Sequence, residues 1–512
     1  MIQTIVTVFA SVGSIAYLIY LYFTWHFNYW KSRGVQGPEP EFFKGNFPSI
    51  ISRDRNLVYD VDDIYKEYKN KDSFVGVFSM RSPQLIITDP KLVQEIWTTK
   101  FHNFEANQYS GVDKKVDPIF GRNPFSLVGQ EWKEKRAEVT PGFTSARIKA
   151  SYPVMLDVCN KLSKFVGRKF NVKVDPPIDG IEGRQLALRF TCEVVADCVL
   201  GLKASGFESD EISEIQKMGS KLFEQNPFFI IFIIICSVCP GIRKFYQLRV
   251  MPKEIEDFFL KMTHDAVKMR TEGKIDRADF LNYLLELKQK GKVNDLDITA
   301  HTISFLLDGM ETSSLAVAHM LLLLGRNEDC QDKLRQEIKE NLSEDGNLTF
   351  EKLNDLKYLD QCFRETLRIY GPGLFASKKC TKATELTTKN GTKVPIEEDT
   401  VVILPSFSIH RDPEYYPDPE KFIPERFSEE NGGVKKFQSA GVYMPFGEGP
   451  RMCPGMKFAT AQVKAGVVKL IQDYKVTVNP RTRNDNYLNA TFFMALLDGG
   501  IWLDFEPLTD TD

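Results

Sequence analysis

Residues 446–455 read FGEGPRMCPG, a stretch that frames one cysteine, Cys453, with three glycines, two prolines and an arginine. Glycine lets the backbone approach another body closely and adopt positive φ, and proline stiffens the chain. The mixture describes a shaped loop that presents one sulfur. Immediately beyond it, residues 457–474 carry apolar positions three and four apart, so the loop leads into a helix.

Working outward, the chain is 512 residues long, 43% hydrophobic and 26% charged, enough to bury a large core. A net charge of −3 gives no overall basic surface for nucleic acid. Nine cysteines do not form a disulfide framework in a chain of this length and fit a reducing compartment. The pair Cys236 and Cys239 has no second pair to complete a zinc site and reads as two small buried hydrophobes. No charged side chain precedes Lys31, so about 25 residues can cross a bilayer as a helix. Lys31, Arg33 and Lys44 follow that span, which by the positive-inside rule leaves the body in the cytosol. The expected organisation is a membrane anchor over 1–26, a basic and proline-rich linker over 27–49 and one catalytic body over 50–512.

Helical periodicity dominates that body, over 91–101, 131–138, 185–201, 211–225, 253–272, 278–290, 297–324, 328–341, 351–370 and 457–474. Strand-like alternation is confined to short pieces such as FVGVFS, LIITD, VVILP and GIWLDF. The fold class is therefore mainly α with small β-sheets, preceded by a single transmembrane helix. The longest helix starts at an N-cap-like Asp297, ends at Gly325 and is apolar on most faces. Its middle nevertheless carries Asp308, Gly309, Glu311 and Thr312, where a core helix should have leucine. Local rules broken inside a core mark function.

FGEGPRMCPG matches F-G-x-G-x-R-x-C-x-G at every fixed position, a coincidence on the order of one in a hundred thousand for a chain this long. It resembles the haem-thiolate loop of the cytochrome P450 family. The resemblance implies haem b as cofactor, with Cys453 as the axial thiolate and metal ligand and Phe446, Gly447, Arg451 and Gly455 around the porphyrin. DGMETS then resembles the family's distal helix segment. Gly309 and Thr312 are expected to break the helix and leave a groove for dioxygen, with Thr312 and Glu311 as the catalytic proton relay. The alternative for Thr312 is a bond back to the carbonyl of residue 308. Asp308 departs from the family, where alanine or glycine is usual.

Glu365 and Arg368 in CFRETLRIYGP, with Arg426 in PERF, resemble the family's structural charge network behind the cysteine. Trp132 and Arg136, at i and i+4, and Arg451 are implied to bind a haem propionate, and Lys378 stands where another propionate arginine is usual. These motifs follow family order over about residues 35 to 505. Phe-, Ile- and Leu-rich stretches at 101–125, 218–240, 301–312, 373–377 and 489–497 are implied to line an apolar pocket for a lipophilic small molecule.

The implied activity is insertion of one atom of dioxygen into a lipophilic xenobiotic or endogenous compound. With no flavin motif in the chain, electrons are expected from NADPH-cytochrome P450 reductase, with cytochrome b5 as a second donor. The implied location is the endoplasmic reticulum membrane with the catalytic body on the cytoplasmic side, and the resemblance is nearest to animal and insect xenobiotic-metabolising members. Lys133, Lys135, Lys435, Lys436 and Lys457 are expected to form a basic docking patch behind the thiolate. Two alternatives remain open at this point: a haem-thiolate isomerase or dehydratase acting on peroxides, and a membrane haem sensor or carrier.

Overall fold

A computed structural model describes residues 1–171, 179–224, 227–239, 241–242, 246–247, 249–274, 277 and 279–508. Residues 225, 226 and 240, within the expected pocket stretch, and residue 278, at the start of an expected helix, lie outside the described residues. The chain forms two compact units. One comprises Met1–Gln108, Gln225–Leu248 and Leu374–Ile409, the other Tyr109–Glu224, Arg249–Gly373 and His410–Asp512.

The first unit begins with the helix Ile2–Thr24, whose apolar window has a mean hydropathy of 1.9 and is not buried at all. Its length and composition suffice to cross a bilayer. Near its end Tyr22 Oη donates to the carbonyl of Val238, at the end of the helix Pro227–Val238, at 2.6 Å. Cys236 is buried as expected, but Cys239 is exposed, so the two do not form one buried pair. The following segment is packed: Trp30 is buried and its Nε1 donates to Val77 O at 3.1 Å. Val77 belongs to a four-stranded sheet ordered Phe74–Ser79, Ser82–Ile87, Val401–Leu404, Ala376–Lys379, antiparallel except for the central parallel pair. Alternate residues Val75, Val77 and Ile86 point to a core shared with Phe47, Val61, Ile64, Tyr68 and Ile403. Lys378 is buried on the edge strand of this sheet, its ammonium 4.1 Å from the centre of the Trp97 ring.

The second unit is helical, with a three-stranded sheet ordered Ile181–Glu182, Trp502–Pro507, Tyr474–Val478. Its longest helix runs from Asp295 to Arg326 without interruption. The N-cap is Asn294 rather than Asp297. Asn294 Oδ1 accepts from Asp297 N at 2.9 Å and Asp297 Oδ2 accepts from Asn294 N at 3.2 Å, a reciprocal capping box that makes Asp297 the N3 residue. Against the long helix pack Gly183–Leu200, Met456–Asp473, Lys357–Tyr370, Lys253–Thr271 and Phe280–Gln289. The expected helices over 185–201, 253–272, 328–341 and 457–474 coincide with observed ones to within two residues at either end. The expected helix over 351–370 is two, Phe350–Asp355 and Lys357–Tyr370, parted at Leu356, whose φ and ψ are extended. Leu57–Tyr68 and the 27-residue helix Ser145–Asn171 are additional to the sequence reading.

Candidate active site

The cysteine loop closes on itself before the helix Met456–Asp473 begins. Gly447 and Gly449 have φ of 69° and 66°, a region that suits glycine, and Cys453 N donates back to Phe446 O at 2.9 Å. Gly455 is the N-cap of the helix, and a Cβ there would lie 3.3 Å from the Phe143 ring and 4.0 Å from Cys453 Sγ. The loop thus holds the sulfur at a helix N-terminus, half-buried. Burial pushes the Cys453 thiol up, and the backbone N–H groups of Gly455 and Met456 and the Arg136 guanidinium pull it down. Each of those groups favours a thiolate.

Trp132 and Arg136 reach this loop from the helix Gly129–Val139. Arg136 Nη2 donates to Met452 O at 2.5 Å, and the Arg451 guanidinium stacks over Trp132 at 4.4 Å while its Nη1 donates to Pro124 O at 2.9 Å. The structure therefore brings Trp132, Arg136, Arg451 and Cys453 together.

On the long helix, Thr312 Oγ1 donates to Asp308 O at 2.6 Å, the bond back along the chain that the sequence left as an alternative. The helix does not break there. Gly309 has a packing reason instead, since a Cβ would meet Val195 Cγ2 at 3.3 Å. Its carbonyl is held from outside the helix by Gln462 Nε2 at 3.0 Å, and the same nitrogen lies 2.6 Å from Ser313 Oγ. Gln462 is fully buried on the helix that follows Cys453. Sequence reasoning missed it, and its position on an apolar helix face nine residues past the cysteine was the available signal.

Glu311 is fully buried in an ion pair with Arg184, Oε1 lying 2.7 Å from Nε and 2.5 Å from Nη2. Burial holds its carboxyl up and Arg184 opposes this. Its second oxygen has no hydrogen-bond partner. The carboxylate on Thr312's own face is Asp308, one turn earlier.

Glu365, Arg368 and Arg426 form the expected network. Arg368 donates from Nε to Glu365 Oε2 and from Nη2 to Oε1, both at 2.8 Å, and from Nη1 to His410 O at 2.8 Å. Arg426 Nε and Ile423 N each reach Glu365 Oε1 at 3.1 Å. Both members of the central pair are within 1% of complete burial, so the satisfied geometry offsets the desolvation of two charges.

The donor set decides what the sulfur can hold. Among the described residues there is no group of three or more His, Cys, Asp or Glu arranged for a metal ion. Cys453 offers one ligand, too few for a bare metal and sufficient for an iron that brings its own equatorial donors. Space for such a group adjoins the long helix: Ser304, Asp308 and Thr312, at i, i+4 and i+8, keep accessible surface where the turns around them are buried. The charge of Asp308 also acts on the Cys453 thiol, so the carboxyl and the sulfur lie within electrostatic reach of each other.

A mainly helical fold sets one cysteine thiol at a helix N-terminus, beside a long buried helix with an accessible polar stripe, and that arrangement offers a single protein ligand to an iron that brings its own equatorial donors. A family model described as cytochrome P450 matches residues 35–499. The chain belongs to the cytochrome P450 family, whose members are haem-thiolate monooxygenases. Among its relatives, "Probable cytochrome P450 28d1" of Drosophila melanogaster is 43% identical over 497 residues, 96% of this chain and 97% of its own length. "Probable cytochrome P450 28a5" of the same organism is 42% identical over 503 residues, 97% and 98% of the two chains. "Cytochrome P450 6j1" of Blattella germanica is 32% identical over 512 residues, 99% of each.

Proposed function

We propose that this chain is a membrane-anchored monooxygenase in which Cys453 is the axial thiolate of haem b and the substrate is a lipophilic small molecule, foreign or endogenous. The observation that carries the reading is the glycine-shaped loop that holds the Cys453 sulfur at a helix N-terminus within electrostatic reach of the open face of the long helix. When bound, haem supplies the iron at which dioxygen is activated. Phe446, Gly447 and Gly455 shape the loop at the proximal side, and Trp132, Arg136 and Arg451 supply donors for its propionates, while the ammonium of Lys378 lies over the Trp97 ring. Gly309 keeps the distal helix close to its neighbour. Thr312 offers a hydroxyl on the distal face and Glu311 a buried carboxyl one residue away for moving protons.

Residues 1–26 act as the anchor and 27–49 as the connection to a catalytic body over 50–512, placed on the cytosolic face of the endoplasmic reticulum by the lysines and arginine after the span. Electrons come from NADPH through a diflavin reductase, with cytochrome b5 as a second donor. Lys133, Lys435, Lys436 and Lys457 are exposed and available to meet an acidic flavoprotein. Lys135 is not one of them, being paired with Glu138 at 3.0 Å and Asp297 at 3.2 Å.

The test is Cys453→Ser. Wild type, reduced under carbon monoxide, should show the thiolate-type red-shifted Soret band and turn over lipophiles when NADPH and reductase are both present, and the variant should lack both properties. A serine variant that keeps the band would overturn the reading.

A further inference from the structure

Asp308 is the anomaly of the long helix. Its neighbours Phe305, Leu306, Leu307 and Met310 are buried and apolar, yet Asp308 itself is exposed. Among the described residues its carboxyl makes no hydrogen bond and no ion pair. Burial nevertheless holds its carboxyl up at about 7. The two facts agree if the surface it borders is an enclosed hollow rather than bulk water. Of the charged groups nearby, Glu311 is committed to Arg184 on another face of the helix, Arg136 is bonded to the carbonyl of Met452, and the Cys453 thiol offers no positive charge.

A carboxyl in an apolar hollow without a counterion either keeps its proton, as its raised pKa allows, or ionises against a cation that arrives from outside. Water or an alcohol can hydrogen-bond to it but leaves its charge in place, whereas an amine neutralises it wherever the shared proton resides. Since Ser304 and Thr312 lie one turn to either side, the partner meets a polar stripe along one wall with apolar residues around it.

We infer that Asp308 is the substrate-recognising anion of this pocket, and that the class of substrate it selects is lipophilic amines: an apolar body carrying one ammonium nitrogen. This rests on the monooxygenase reading for what happens to the bound amine, but not for the binding itself. Asp308 is a specificity residue here, and the oxidation remains the family's own reaction.

The experiment uses benzyltrimethylammonium and its neutral carbon isostere neopentylbenzene, because the quaternary nitrogen has neither a lone pair for iron nor a proton. Binding to the full-length haem-loaded protein in phospholipid nanodiscs is measured by equilibrium dialysis above about pH 8, where the carboxyl is ionised. Asp308→Asn should weaken the ammonium by about tenfold or more and change neopentylbenzene by less than about twofold, while Asp308→Glu restores the ammonium preference. Equal weakening of both ligands, or unaltered ammonium binding, overturns the inference. A measurement without any variant decides it if Asp308→Asn does not fold: the anion hydrocinnamate should bind wild type at least about tenfold more weakly than neopentylbenzene, and equal binding overturns the inference. The reduced carbon monoxide spectrum, recorded on the same samples, separates the two proposals. Absence of the thiolate band from wild type removes the monooxygenase reading, whereas a lost charge preference beside an intact band removes the amine inference alone.

Discussion

At the scale of single residues, the hydroxyl of Thr312 is engaged by the carbonyl of Asp308 at 2.6 Å, so any proton it passes on must come from a group that reaches it from the hollow. Thr312→Ala removes that hydroxyl without touching the cysteine loop. The expected outcome is normal haem content and lipophile binding, with reducing equivalents diverted to hydrogen peroxide so that product formed per NADPH falls several-fold, on the order of the loss expected for one acid–base group. Product and peroxide measured in one reaction check it, and unchanged coupling would count against a role for the hydroxyl. Cys453 was legible because the glycines and prolines of its loop lie within ten residues of chain, whereas the grip of Arg136 on Met452 O comes from a remote helix. Asp308 was legible as an oddity but not as a pocket group, since periodicity tells which residues share a face and not what that face meets. Lys135 was misjudged for a related reason: its partner Asp297 is remote in sequence, so a charge that reads as free is paired in the fold.

At the scale of elements, the helix Ser145–Asn171 went unread although Ile148, Tyr152, Met155, Cys159, Leu162 and Val166 are buried at helical spacing. Pro153 interrupts that pattern and usually ends a helix, yet packing against the helices Met456–Asp473 and Gly183–Leu200 carries this one through. The contacts among Glu365, Arg368 and Arg426 were legible because their spacing is local to one helix and one short motif. The tie made by Gln462 was invisible, being a contact between helices. Replacing Gln462 with Leu leaves Gly309 O and Ser313 Oγ without their outside donor, at a cost of about 1–3 kcal/mol. Denaturant unfolding of the purified variant should show that loss. A stability equal to wild type would mean that the two bonds contribute nothing net.

For the whole molecule, pH sets stability through histidines kept neutral inside it. His319 donates from Nδ1 to Leu315 O at 2.8 Å and stacks on Tyr370 with ring centres 4.4 Å apart. His410 Nε2 accepts from Met444 N at 3.1 Å, with Arg368 and Arg411 nearby. Burial lowers their pKa values to about 4 and about 3, from an ordinary value of 6.5. In the unfolded chain both protonate near 6.5, so the stability is complete above that pH and is lost as pH falls from there towards the folded values. The slope is up to about 1.4 kcal/mol per pH unit for each histidine. Asp308, held up at about 7, titrates in the opposite sense across the same window, so the histidines are read by difference: between about pH 7.5 and about pH 5 the unfolding free energy of His319→Phe, which keeps the stacking, should fall less steeply than that of wild type, by up to about 1.4 kcal/mol per pH unit. Parallel curves for wild type and variant would exclude His319 as a source.

The Gln462 bridge has a mechanical consequence for what the pocket can admit. The helix that starts at the sulfur is tied to the helix that carries Asp308 and Thr312 through Gly309 and Ser313, so a guest that pressed the two helices apart would have to break two buried hydrogen bonds. Any accommodation of size is expected away from that tie, which separates two jobs that a softer site would mix: the tied end, with Asp308, screens a guest by its charge, and the outer walls screen it by its size.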